Sequence, residues 1–256
     1  MYKIIGLFLG YYLLGFFGAF LGYLFGSSID RAREYGIGGI NPLGNEQRKA
    51  VFLETAFVLM GKLAKADGHI SKDEIAHVEQ FIQKMGMTPE HRSLAIKQFK
   101  LGSATDFDID TTLNEFMESC GHTSNLKQVL LMYLIVMALA DGSLDNAERS
   151  LLERIASRLG YSQSQFSQLL EMILNQSHFA HGQANSATAL DDAYKALGVT
   201  KEQSDQEIKR AYRKLISQYH PDKLIGQGLP EDMIAVATEQ AKEIQVAYDL
   251  IKKHRS

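Results

Sequence analysis

The chain has 256 residues, enough for one to three domains, and 27 basic against 30 acidic residues leave a net charge of −3. A nucleic-acid-binding domain normally carries a basic excess, so no nucleic-acid partner is expected. Cys120 is the only cysteine, which excludes an intramolecular disulfide framework and a cysteine-rich zinc module. Ile109, Leu113 and Phe116 precede it at helical spacing, so Cys120 is predicted to be a buried core residue.

The amino-terminal segment is uncharged over a long stretch. No charged residue occurs from Ile4 to Ile29, and about 20 apolar residues suffice to cross a hydrocarbon core of about 30 Å. Residues 1–30 are therefore predicted to form one transmembrane anchor in a lipid bilayer. A secretory signal peptide cleaved near Gly26-Ser27-Ser28 is the alternative.

Three glycines in this segment share one helix face. Gly18, Gly22 and Gly26 are four residues apart, and small residues at that spacing let two membrane helices approach closely. We expect a homodimer through this face, although glycine is also common in membrane helices that do not associate.

Residues 31–45 are rich in glycine and contain Pro42, which is typical of a juxtamembrane linker. Residues 46–174 carry apolar side chains at steps of three and four, as expected for an all-α bundle. Asp67-Gly68 recurs as Asp141-Gly142 at an offset of 74 residues, and the same offset relates Gly86 to Gly160. This internal repeat predicts a helix–turn–helix unit used twice, about a pseudo-two-fold axis.

The repeated turns contain four acidic residues: Asp67, Glu74, Asp141 and Glu148. Their spacing does not match a calcium-binding EF-hand loop. The plainer interpretation is a turn followed by a capped helix start, with Ser71 and Glu74 as a capping box, so no metal is expected. Residues 50–174 also resemble a TerB-like domain, and that resemblance implies that the four acids could approach one another. A metal site therefore stays open as an alternative.

Residues 175–188 are small and polar with little periodicity and are interpreted as a second, flexible linker. Beyond it, Asp205 to Gln218 is predicted to be an amphipathic helix. Its apolar stripe is Ile208, Ala211, Tyr212, Leu215 and Tyr219. Off that stripe lies a basic ridge, defined as Lys209, Arg210, Arg213 and Lys214.

A proline cannot continue the helix, so Pro221 is predicted to end it and to leave His220 and Asp222 in an exposed loop. A second amphipathic helix ending near Lys253 would complete an antiparallel hairpin. A short helix from Asp191 to Leu197 would close its base.

Residues 189–256 resemble a J domain, the module of DnaJ-type co-chaperones. The matching residues are Tyr194, Leu197-Gly198-Val199, Glu207-Ile208-Lys209, Ala211-Tyr212-Arg213-Lys214-Leu215, Tyr219-His220-Pro221-Asp222-Lys223, Ile244 and Ala247-Tyr248. The resemblance implies docking on a DnaK-type chaperone through His220, Pro221, Asp222 and the basic ridge, and stimulation of its ATP hydrolysis. Two departures are a longer stretch from Leu224 to Asp232, and Ala241 in place of the usual aromatic residue.

The order of anchor, TerB-like bundle and J domain resembles the membrane-anchored DnaJ-like co-chaperones of Gram-negative bacteria. The resemblance and the cations Arg31 and Arg33 after the anchor favour a periplasmic amino terminus and cytoplasmic domains at the bacterial inner membrane. A co-chaperone of this kind needs no cofactor and is not an enzyme, and no nucleophile–base pair is evident. The alternative function is a metal- or stress-sensing membrane scaffold centred on the bundle.

Overall fold

A computed structural model describes residues 42–66, 72–139, 144–180 and 186–255, and the regular structure in these ranges is entirely helical. The helices are α1 Pro42–Leu63, α2 Lys72–Met85, α3 Pro89–Gly102, α4 Ile109–Cys120, α5 Ser124–Ala138, α6 Asn146–Arg158, α7 Gln163–Ala180, α8 Ser186–Ala196, α9 Asp205–Gln218, α10 Pro221–Gln227 and α11 Ile234–Arg255, with a 3-10 turn at Glu231–Met233. The predicted all-α class is confirmed.

The predicted anchor, residues 1–30 with Gly18, Gly22 and Gly26, lies outside the described residues. Within the described ranges, none of the helices is both long and apolar enough to span a bilayer. The predicted juxtamembrane linker 31–45 is shorter than expected at its carboxyl end, since α1 already begins at Pro42. Proline is well placed there, because the first helical residue needs no N–H donor.

The internal repeat extends further than the sequence suggested. Helices α2 and α6 begin at Lys72 and Asn146, and α3 and α7 begin at Pro89 and Gln163, again 74 residues apart. The unit therefore includes a third helix. Gly86 and Gly160, which follow α2 and α6, have φ values of 66° and 88°. This left-handed conformation ends many helices and strains any residue with a Cβ atom, which explains glycine at both positions.

Helix α5 lies at the centre of the bundle and is buried on nearly all sides. Its Tyr133 is fully buried and packs edge-on against Phe52 and Phe81, with ring centroids 6.1 and 5.8 Å apart. Cys120 is also fully buried, as predicted, and burial raises the pKa of its thiol to about 12. The thiol is therefore protonated and unreactive at neutral pH.

Helices α1 and α3 cross at unusually close range. A Cβ atom on Gly102 would lie 1.8 Å from the Val58 carbonyl oxygen, and one on Gly61 would lie 2.0 Å from the Phe99 carbonyl oxygen. Only glycine permits this crossing without displacing a backbone, so the two glycines set how closely the helices pack.

The carboxyl-terminal helices pack on the bundle, and residues Arg48–Ser256 form one compact unit. Helix α8 lies against α7, and α11 lies against α2, α7, α8 and α9. Most of the predicted linker 175–188 is helical: α7 continues to Ala180, with Asn175 buried, and α8 begins at Ser186. Residues 181–185 of that linker are outside the described ranges. The short helix predicted at Asp191–Leu197 is thus longer, at Ser186–Ala196.

Candidate functional site

The helix that carries the basic ridge is held firmly at its start. Ser204 and Glu207 form a capping box in which the Glu207 carboxylate accepts from the Ser204 N–H at 2.8 Å. Hydrogen bonds from the side chain and backbone of Ser204 lower the pKa of Glu207. At the same end, the Arg255 guanidinium donates to the Gln203 carbonyl at 2.9 Å and pairs with Asp205 at 3.1 Å. The end of α11 is therefore tied to the start of α9.

The apolar face of α9 is buried and its basic face is exposed to solvent. Ile208, Leu215 and Tyr219 are buried, and α9 packs along α11 with the Tyr212 and Tyr248 rings stacked at a centroid distance of 4.1 Å. The four side chains of the basic ridge are all exposed: Lys209, Arg210, Arg213 and Lys214. Amphipathicity thus orients the ridge toward solvent.

The His-Pro-Asp tripeptide differs from its prediction in one respect. His220 and Asp222 are exposed, as expected, but only His220 lies outside the helices, since Asp222 is in the first turn of α10. His220 is the N-cap of α10, and Pro221 is its first residue. The proline that ends α9 also begins α10, because its fixed φ suits the first helical position. Pro221 and Asp222 therefore have helical geometry, whereas His220 is an extended residue between α9 and α10.

A buried tyrosine lies directly beneath the tripeptide. Tyr219 is completely buried, and its hydroxyl accepts a hydrogen bond from Gln128 Nε2 of α5 at 3.2 Å. Burial raises the pKa of Tyr219 to about 12, and the hydrogen bond from Gln128 opposes this increase. This contact joins the base of the tripeptide to the helical bundle.

Sequence reasoning missed the role of the stretch that follows. Leu224, Leu229 and Met233 are fully buried, and the Tyr133 hydroxyl donates to the Met233 carbonyl oxygen. The sequence identified Leu224 to Asp232 only as a longer loop. One available signal was Tyr133 itself, since a tyrosine within the aliphatic run of α5 needs a partner for its hydroxyl.

The four acidic residues of the repeated turns are only partly described. Glu148 lies in a capping box with Asp145: its carboxylate accepts from the Asp145 N–H at 3.1 Å. The structure does not describe Asp67, Asp141 or the side chain of Glu74. Among the side chains that it does describe, no group of three or more histidine, cysteine or acidic residues could hold a metal ion. The turn-and-cap interpretation holds for the second repeat at Glu148.

Comparison with known families assigns three regions of the chain. Residues 53–171 match the tellurite resistance protein TerB family, and residues 192–256 match the DnaJ domain. Residues 1–40 match the co-chaperone DjlA transmembrane domain. The TerB-like bundle and the J domain predicted from sequence are thereby confirmed, and together they define a J-domain co-chaperone with a membrane-anchoring domain.

Curated co-chaperones are similar to this chain over nearly its whole length. The co-chaperone protein DjlA of Photobacterium profundum is 38% identical, over 99% of this chain and 98% of the relative. Those of Coxiella burnetii and Haemophilus influenzae are 36% and 34% identical and are also covered almost completely. The chain belongs to the DjlA co-chaperone family. No solved structure matches it.

Proposed function

We propose that this chain docks on a DnaK-type chaperone through its J domain and stimulates ATP hydrolysis by that chaperone at the cytoplasmic face of the inner membrane. The observation that carries the proposal is the exposure of His220, Asp222 and the basic ridge above a fully buried base. These residues contribute little to the folding of the chain, so they remain available to a partner.

The basic ridge would act first, by electrostatic attraction. Four cations on one face of α9 steer an acidic partner surface and fix its orientation, which raises the association rate more than the final affinity. The tripeptide would then favour the hydrolysis-competent state of the chaperone. A binding partner shifts such an equilibrium only through its differential affinity for the two states. No covalent step by this chain is required.

The test is an ATPase assay of DnaK with the full chain reconstituted in lipid nanodiscs. His220→Gln should abolish stimulation while leaving helicity and melting unchanged, because His220 is exposed. His254→Gln is the matched control. It changes an exposed histidine near the end of α11, at the opposite end of the helical hairpin from the tripeptide. Full stimulation by His220→Gln would contradict the proposed role of the tripeptide.

We also propose that the anchor places the amino terminus in the periplasm and pairs two chains through Gly18, Gly22 and Gly26. Replacing these glycines with leucine should reduce the signal of an in-membrane dimerisation reporter without preventing insertion, because leucine blocks close approach but stays apolar. An equal signal from both versions would exclude this pairing face. No described residue favours the metal- or stress-sensing scaffold, so it is not proposed.

A further inference from the structure

The bundle has a binding partner within its own chain. Residues 219–233, here named the docking segment, run from Tyr219 through α10 to the 3-10 turn. Tyr219, Leu224, Leu229 and Met233 have no exposed surface, and Pro230 is buried. Helix α10 packs on α5, while α11, which follows the docking segment, packs on α2 and α7. The apolar side chains of the bundle and the J domain therefore belong to one continuous core.

Polar contacts fix the position of the docking segment on the bundle. The Arg48 guanidinium donates to the Gln227 carbonyl at 3.0 Å, and Lys49 pairs with Glu231 at 3.8 Å; both cations lie on α1. On α3, His91 Nδ1 lies 2.5 Å from Asp232 Oδ2.

On α5, Gln128 donates to the Tyr219 hydroxyl and Tyr133 donates to the Met233 carbonyl oxygen. Contacts to α1, α3 and α5 constrain the segment in more than one direction. The docking segment cannot pivot on the bundle without breaking several of them.

The contact with the bundle is made by the stretch in which this chain differs from the compact J-domain loop. The stretch from Leu224 to Asp232 is the part noted above as longer, and it supplies three of the carboxylate and carbonyl groups that meet the bundle: Gln227, Glu231 and Asp232. Gly228, with φ of 113°, turns the chain after α10, and the next two residues, Leu229 and Pro230, are buried.

We propose that the J domain stays docked on the TerB-like bundle when the chain binds the chaperone. The chaperone would then contact a J domain that is held on the bundle, and not one released from it. This inference rests on the proposed function. Release would expose Met233 and Leu229, and would break the hydrogen bond from the Tyr133 hydroxyl to the Met233 carbonyl oxygen. Docking, by contrast, leaves His220, Asp222 and the basic ridge exposed.

The contact between the two domains begins one residue from the tripeptide. Tyr219 precedes His220 and is hydrogen-bonded to Gln128 of α5 at 3.2 Å, so docking fixes the backbone next to His220.

The experiment locks the docked state in the full chain. Lys49→Cys and Glu231→Cys, introduced together, would be bridged by a short bismaleimide in lipid nanodiscs. The native Cys120 thiol is buried with a pKa of about 12, so it competes poorly for the reagent. Each single-cysteine variant treated with the same reagent is a matched control for the modification itself.

We expect an intramolecular bridge, seen by mass spectrometry of the joined peptides, and stimulation of DnaK within about twofold of the unbridged chain. Failure to form the bridge would overturn the docking. A bridged chain that loses stimulation, while the treated single variants keep it, would show that release is required and would overturn the proposal. If the unmodified chain itself gave no stimulation, the proposed function would fail, and bridge formation alone would decide whether the docking exists.

Discussion

Tyr133→Phe removes one hydroxyl from the interface between the bundle and the J domain. The phenylalanine ring keeps the packing of Tyr133 against Phe52 and Phe81, while the Met233 carbonyl oxygen loses a donor. A buried hydrogen bond contributes about 0.5–1.5 kcal/mol, and a buried group left unpaired costs about 1–3 kcal/mol. We therefore expect a loss of about 1–2 kcal/mol. In a unit of about 150–250 residues, this lowers Tm by about 2–8 °C.

The assay is hydrogen–deuterium exchange of the full chain in nanodiscs, together with thermal melting. Exchange in the docking segment should become about 5–30 times faster, which is the factor that corresponds to 1–2 kcal/mol. Tyr212→Phe is the matched control, since it removes a hydroxyl that donates to Gln245 within the J domain. Its effect should stay within α9 and α11. A Tm change below about 1 °C, with unchanged exchange in the docking segment, would refute the role given to Tyr133.

Three further outcomes are expected. Burial raises the pKa of Tyr219 from 10.0 to about 12, so its contribution to stability is intact below pH 10 and is lost as the pH rises toward 12. Between pH 10 and 12, the free energy of unfolding measured by urea titration should fall by about 3 kcal/mol less for Tyr219→Phe than for the wild type. Gly102→Ala should lower the free energy of unfolding by about 1–3 kcal/mol, and Tm by several degrees, because the added Cβ atom would overlap the Val58 carbonyl oxygen. Reversing Arg213 and Lys214 to glutamate should weaken DnaK binding and flatten its dependence on salt; salt-independent binding by the wild type would contradict this.

The parts of the fold that depend on local sequence could be predicted. Helix α9 begins and ends close to the predicted residues because its cap, apolar stripe and following proline all act within a few positions. The repeated Asp-Gly turn and the glycines Gly86 and Gly160 identified the duplicated unit for the same reason. Cys120 was placed in the core by helical spacing alone.

The predicted flexible linker shows where local reasoning fails. Residues 175–188 have small and polar side chains without clear periodicity, yet Asn175 is buried in α7 and its side chain donates to the Glu171 carbonyl at 2.6 Å. Helices α7 and α8 pack along each other, and a Cβ atom on Gly198, beyond the end of α8, would lie 3.9 Å from Gln168 near the start of α7. Tertiary packing of the two helices overrides their weak intrinsic propensity.

The docking of the J domain was not predictable because its contacts join residues far apart in the chain. Tyr133 and Met233 are separated by 100 positions, and His91 and Asp232 by 141. Periodicity within one helix reports which face is buried, but it does not report which other element covers that face. The sequence showed that the stretch from Leu224 to Asp232 is longer than usual, but it did not show that this stretch packs on the bundle.

Comparing the two halves of the repeat distinguishes the residues that specify the fold of the bundle from those that contact the J domain. With the offset of 74 residues, Tyr133 of the second half is equivalent to Leu59 of the first half. Both side chains are buried, but only Tyr133 carries a hydroxyl. The same shift pairs His91 with Gln165. The starts of α2 and α3 recur as the starts of α6 and α7, and both halves share the glycine turns, because these features specify the fold of the unit. Residues that bond to the docking segment, such as Tyr133 and His91, have different side chains at the equivalent positions of the other half. These contacts therefore belong to single positions and not to the repeated unit, which is why the repeat predicts the fold of the bundle but not its docking to the J domain.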